Sequence, residues 1–188
     1  MTATFHSLKD HFLLAMPSLS EGIFAGSLTY LCEHTEAGAM GLIVNQPLNL
    51  SLRDIFAHLE IDDVRVSGDE PVLTGGPVAT ERGFILHRGC ERAWDATLRV
   101  TDEISLTTSR DILEALAHGD GPEDHLMALG YAGWSAGQLE EEISANAWLT
   151  IPANSDILFR TPIPQRLSAA AAQLGVDLNL ISTAVGHA

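Results

Sequence analysis

Basic side chains are scarce in this sequence. Its 188 residues hold 10 Lys and Arg against 25 Asp and Glu, a formal charge of −15 with histidine neutral. The ten are scattered, and no window gathers them into a cluster. Duplex nucleic acid is gripped by several Lys or Arg set out as a patch or stripe. Direct nucleic-acid binding is therefore not expected, and anionic membrane surfaces are disfavoured for the same reason. Cysteine is scarcer still. Cys32 and Cys90 make no disulfide framework and fit a reducing cytoplasm. Long apolar runs are missing, and none approaches the ~20 residues of a bilayer span. Residues 1–6 lack a basic region leading into an apolar stretch, so no signal peptide is expected. No repeat or low-complexity segment stands out.

Apolar residues, by contrast, are plentiful at 46%. They are too periodic for a disordered chain. The length suits one domain, spanning 1–188, that buries roughly 70% of its unfolded surface. Residues 12–15, 28–34, 39–45, 72–74, 83–87, 97–100, 104–107, 126–129 and 148–151 have strand character. The glycine at 38 marks a hairpin between the second and third of these. Leu52, Ile55, Phe56 and Leu59 fall at helical spacing behind Ser51, an N-cap residue, with Asp54 in the first turn. Ser109 opens a second helix with Ile112, Leu113, Leu116 and Ala117 on one face, stopped at Gly119. A glycine-rich turn after Leu129 leads to a third helix from about Ala136. Pro164 starts a last helix whose stripe is Leu167, Ala170, Ala171 and Leu174. Hairpins interrupted by single helices predict an α+β fold: one compact domain, mostly antiparallel sheet, helices interspersed.

Four constellations could carry chemistry. Gly133-Trp134-Ser135-Ala136-Gly137 matches the G-x-S-x-G nucleophile elbow, and Asp156 or Asp177 and then His187 follow in hydrolase order. Against it, Ser135 and Gln138 also form S-x-x-Q, a capping box. Gly130-Tyr131-Ala132-Gly133 could cradle a phosphate, but its spacing fits neither common phosphate fingerprint and Glu140, Glu141 and Glu142 follow. These glutamates read as a solvated helix face. Cys32 and His34 lie two apart on a strand, so alternation puts them on one face, where an imidazole could activate a thiolate. The alternative is a buried Cys acting as a small hydrophobe. Cys32, His34, His87 and Cys90 could supply zinc ligands if their segments met; neither pair has a zinc spacing, and no metal or cofactor is expected. Gly75-Gly76-Pro77 reads as a sharp turn.

Tyr30-Leu31-Cys32-Glu33-His34 and the run from Gly38 to Leu48, with its Gly41-Leu42-Ile43-Val44-Asn45-Gln46-Pro47, resemble the opening of the AlgH-like (YqgE-like) bacterial family. Gly75-Gly76-Pro77-Val78 with Arg82-Gly83-Phe84-Ile85-Leu86-His87 is similar to its middle block. Gly130-Tyr131-Ala132-Gly133-Trp134, Gly137-Gln138-Leu139-Glu140, Glu142 and Asn146-Ala147-Trp148-Leu149 resemble its most distinctive block. Gly186-His187-Ala188 resembles its ending. The resemblance implies a compact α+β protein of the bacterial cytosol, with no settled reaction or ligand. It departs at Gly22 and Gly26, where the family usually has Pro and Arg, and at Gln46, where it has Arg. The family also tolerates glycine at the place of Ser135, and Cys90 lies outside its pattern.

Two readings of function follow. The first is a regulatory or interaction protein that acts indirectly, through a protein partner or small molecule. Its surface would gather His34, Asn45, His87, Trp134, Gln138, Glu140, Glu142, Asn146 and Trp148, with exposed tryptophans as anchors or, alternatively, with both indoles in the core. The second is a small hydrolase or thiol enzyme using Cys32 with His34 or His87, or using Ser135. Accessibility of Cys32 separates them.

Overall fold

The computed structural model of the chain describes residues 4–89, 91–178 and 180. Its strands are β1 (His11–Ala15), β2 (Leu28–Thr35), β3 (Gly38–Ile43), β4 (Pro47–Ser51), β5 (Pro71–Thr74), β6 (Val78–Arg88), β7 (Thr97–Arg99), β8 (Ile104–Thr107), β9 (His125–Ser135) and β10 (Trp148–Pro152). Its helices are α1 (Leu52–His58), α2 (Arg110–His118), α3 (Gln138–Ser144), α4 (Ser155–Phe159) and α5 (Arg166–Gln173), the last preceded by a 3-10 turn at Ile163–Gln165.

The principal strand order is β10-β1-β2-β3-β9-β6-β8-β7, with β4 and β5 off this path. All of these pairings are antiparallel except one, the short parallel pair of β5 with β9. The α+β expectation therefore holds, with its hairpins β2–β3 and β7–β8. β9 is the seam of the architecture. Its first half pairs with β5 and β6, and its second half pairs with β3.

One core fills the concave side of the curled sheet. Phe12, Leu14, Leu28, Tyr30, Leu42, Phe84, Leu86 and Leu106 meet there, closed off by Ile157 and Leu158 of α4 and by Ala170 and Ala171 of α5. A second cluster lies under α1 and α2, where Phe56 and Ile112 cover Ile85 and Met127. A third lies under α3, where Leu139 covers Leu13, Leu31, Trp134 and Trp148. Period-2 alternation on the strands and period-3.6 stripes on the helices place these residues.

The α1 expectation is met in full. The Ser51 side chain accepts from the Asp54 backbone N–H, and the Asp54 carboxylate accepts from the Ser51 N–H, a closed capping box. Other local expectations are corrected. Ser109 stands at the N-cap of α2 but its hydroxyl does not cap it. It donates to Asp111 Oδ1 and accepts from the Ala96 N–H. β6 starts five residues before the expected strand, and β4 was not foreseen. In α5, Leu174 is 42% exposed while Arg166 is buried, so the stripe is turned from its expected centre. The Arg166 guanidinium donates to the carbonyls of Val44 (2.7 Å) and Thr161 (3.0 Å), and burial pulls its pKa down to about 10.

The glycine-rich stretch after Leu129 is not a turn. It continues β9 as far as Ser135. Glycine serves close approach of strands there: a Cβ on Gly76 would lie 2.1 Å from the Tyr131 carbonyl carbon, and one on Gly75 would lie 2.3 Å from the Gly130 carbonyl oxygen. Gly75-Gly76-Pro77 is thus a crossing point against β9 more than a sharp turn, and Gly130 itself takes a φ of +76° where the two halves of β9 diverge.

Candidate functional site

The distinctive block of the sequence converges on α3. Glu142 lies on that short helix between two strands. Its Oε2 accepts the indole N–H of Trp134 on β9 at 2.9 Å and that of Trp148 on β10 at 2.8 Å. Its Oε1 accepts from the Gln138 amide at 3.0 Å. Gln138 Oε1 in turn accepts the backbone N–H of Ser135 at 3.0 Å and its hydroxyl at 3.2 Å. The two indoles meet edge-on with centroids 6.1 Å apart, and Phe24 packs on both. Trp134 is 7% exposed and Trp148 is 3% exposed. The expectation of exposed tryptophan anchors is therefore corrected: each ring is core, and one carboxylate satisfies both N–H groups, which could not be buried bare.

The capping-box expectation at Ser135 is half met. Gln138 does reach back to the Ser135 N–H, but the Ser135 hydroxyl does not accept from the helix. The N-cap is Gly137, with a φ of +77°, and α3 begins two residues later than expected. Ser135 Oγ makes no hydrogen bond to a histidine among the described residues, and His187 lies outside them.

His34 is tied into the same end of the molecule. Its Nε2 lies 2.8 Å from Glu140 Oε1, and its Nδ1 lies 2.8 Å from the backbone N–H of Leu8. A backbone N–H can only donate, so Nδ1 is the bare nitrogen and Nε2–H is the donor to Glu140. The Ser7 hydroxyl donates to the His34 carbonyl at 2.8 Å and the Phe5 ring packs edge-on at 4.9 Å. Residues 5–9 are thereby strapped over the end of β2.

Cys32 and His34 do not share a face. The register of β2 against β3 shifts between Leu31 and Glu33, a β-bulge with Cys32 as the extra residue. One inserted residue reverses the alternation beyond it. Cys32 packs into the concave core beside Tyr30, 1% exposed, while His34 faces α3. Burial among apolar side chains pushes the thiol far above the ordinary cysteine range. It is a core residue.

The remaining candidates lie elsewhere. His87 is buried on β6 with Nε2 2.8 Å from Thr107 Oγ1, and desolvation lowers its pKa. His34 and His87 thus have separate partners in separate parts of the sheet. Cys90 lies outside the described residues, and among the described ones no three His, Cys, Asp or Glu stand close enough to hold a metal ion. Asn45 pins the loop before β2: its Oδ1 accepts from the Leu28 N–H at 2.8 Å, and its Nδ2 donates to the Gly26 carbonyl at 2.9 Å. Asn146 ends the α3 segment at a φ of +59°, and its carbonyl accepts from Ser18.

A shallow groove of about 280 Å³ opens beside this network, between the β2–β3 hairpin and Trp134; Glu33, Thr35, Ala39 and Met40 line it. Glu36, at the hairpin tip, and Glu141, on α3, are both exposed. Sequence reading missed the strap of residues 5–9, whose contacts depend on chain folding with no local pattern to show them. No described helix is long and apolar enough to cross a membrane.

Comparison with known proteins gives one consistent answer. The AlgH-like family profile matches residues 12–179. An uncharacterised UPF0301 protein of Saccharophagus degradans is 58% identical over 184 residues, 98% of this chain and 90% of that protein. Another from Thioalkalivibrio sulfidiphilus is 54% identical over the full length of both. The solution structure of the AlgH protein from Pseudomonas aeruginosa superposes with a TM-score of 0.79 at 47% identity, covering 100% of both chains. A protein from Corynebacterium diphtheriae shares the fold at a TM-score of 0.75 and 18% identity, covering 96% and 94% of the two chains. By profile, sequence and fold alike, this chain belongs to the AlgH-like family.

Proposed function

We propose that this protein is a non-catalytic binding module whose docking face is the end where α3 meets the β2–β3 hairpin. Its partner is a protein segment rich in Lys or Arg. The reading rests on one observation: the segments 33–40 and 134–146 carry Glu33, Glu36, Glu140, Glu141 and Glu142 and no Lys or Arg, on a framework locked by the Trp134–Glu142–Trp148 bonds. A rigid ledge of one charge beside a groove favours a complementary cation and steers its approach.

The candidate nucleophiles support a binding role over a catalytic one. Cys32 is buried. The Ser135 hydroxyl is bonded to Gln138. His34 and His87 are each held by other side chains. A regulatory effect in the cytoplasm would then pass through the partner, since a surface this acidic repels nucleic acid.

The test is recovery of partners from bacterial lysate by the wild type and by the Glu36→Lys, Glu141→Lys double variant. Neither side chain makes a hydrogen bond among the described residues, so the fold is kept. Recovery of a partner with a basic segment should fall at least tenfold in the variant and fall with added salt. Equal recovery by both proteins would overturn the reading.

A further inference from the structure

We propose that the cavity enclosed by α1, α2, β6 and β9 binds a free α-amino acid with an apolar side chain. This inference is independent of the docking face, whose groove shares no lining residue with this cavity.

The cavity has a volume of about 240 Å³. That is below the ~300–1,000 Å³ typical of pockets for drug-sized ligands, so its occupant is a small metabolite. Its floor is apolar: Ile55 and Leu59 from α1, Leu113 from α2, and Met127 and Leu129 from β9. Gly83 opens that floor. A Cβ there would lie 2.8 Å from the Met127 methyl, so a larger residue would have to displace that methyl. The pairing of β6 with β9 is interrupted between Val78 and Gly83, and Ala79 takes a φ of +47°. The diverging segment carries Glu81 to the rim.

The rim is polar and charged, lined by His58, Glu81, Thr108 and Arg110. His58, Glu81 and Thr108 make no side-chain hydrogen bond or ion pair among the described residues. Arg110 uses Nε for Glu114, at 2.9 Å, and its two terminal nitrogens have no bond among these residues. Elsewhere on this protein the exposed arginines Arg53 and Arg65, and the half-buried Arg88, bond carboxylates through those terminal nitrogens. Arg110 does not, although its forked donor geometry suits a carboxylate.

Charge decides the class of ligand. A simple carboxylate would match Arg110 and His58 but face Glu81. A simple amine would match Glu81 but face Arg110. A zwitterion answers both, its carboxylate toward Arg110 and His58, its ammonium toward Glu81, and its side chain on the Ile55–Leu59–Met127 floor. Thr108 supplies one further hydroxyl for hydrogen bonding.

The experiment titrates the full chain with L-leucine and L-phenylalanine up to millimolar concentration. It follows heat by calorimetry and the Met127 methyl resonance by NMR. Phenylacetate and phenethylamine serve as analogues lacking the ammonium and the carboxylate respectively. One or both amino acids should bind and shift the Met127 methyl. Each analogue should bind at least tenfold more weakly, as should the Glu81→Gln and Arg110→Gln variants with the amino acids. Both variants alter exposed side chains, and an unchanged melting curve checks the fold. Failure of both amino acids to shift the methyl overturns the proposal. So does an analogue that binds as tightly as the amino acids, or either folded variant that keeps wild-type affinity.

Discussion

Cys32 and His34, two residues apart on one strand, point to opposite sides of the sheet. The bulge that separates them sends the thiol into the concave core and the imidazole toward Glu140. In a Cys90→Ser protein, a thiol reagent at pH 8 should therefore reach Cys32 only through unfolding. Typical domain stabilities give at least about a thousandfold protection relative to the denatured chain. Rapid stoichiometric labelling of the native protein would contradict the burial.

Alkaline pH should weaken the fold through Tyr30 and Cys32. Burial raises both groups above their ordinary values, and the Tyr30 hydroxyl also donates to Asp10 Oδ1 at 2.8 Å. The folded chain then holds protons that the unfolded chain releases, so stability falls as pH rises. The fall begins near the ordinary cysteine and tyrosine values, about 8.5 and about 10, and steepens to about 1.4 kcal/mol per pH unit for each group. Urea titrations between pH 7 and 11 should show it. Tyr30→Phe should flatten the upper part of the profile, and an unchanged slope in that variant would refute the assignment.

Replacing Glu142 should loosen the α3 end. Glu142→Ala leaves two buried indole N–H groups without their acceptor, at a cost of about 2–4 kcal/mol. Glu142→Gln keeps an oxygen and should lose less. Equilibrium unfolding gives the numbers, and tryptophan emission reports the change around both rings. A loss below about 0.5 kcal/mol in the alanine variant would mean the indoles are satisfied some other way.

Two glycines should respond very differently to alanine. Gly76→Ala drives a methyl into the Tyr131 backbone and should cost more than about 3 kcal/mol, with poor soluble yield. Gly137→Ala meets nothing within 4 Å and strains only a left-handed φ, for about 1 kcal/mol. Similar melting temperatures for the two variants would contradict the tight crossing of Gly76 and β9.

What the sequence made legible was local and periodic. The Ser51 N-cap with Asp54 in the first turn, the Ile112–Ala117 face and the two hairpins depend on residues near each other in the chain, and each stands as expected. What it hid depends on distant chain. Gly130 looks like a turn residue in isolation; the approach of Gly75 and Gly76 explains it as strand. The bulge at Cys32 leaves no mark on the alternating pattern, so the thiol and the imidazole seemed to be neighbours. For the tryptophans the sequence left exposed anchor and core both open, because the carboxylate that lets them be buried is supplied by tertiary folding.

The placement of the seam strand also governs how this protein is made. β9 spans His125–Ser135, yet it joins β3, β5 and β6, whose residues are synthesised well before it, Gly38 pairing with Ser135. A nascent chain that has emerged only to about residue 120 carries two half-sheets with unpaired edges, the condition that invites mispairing. Such long-range closure slows folding. Shielding of those edges during translation is thus a demand written into the topology.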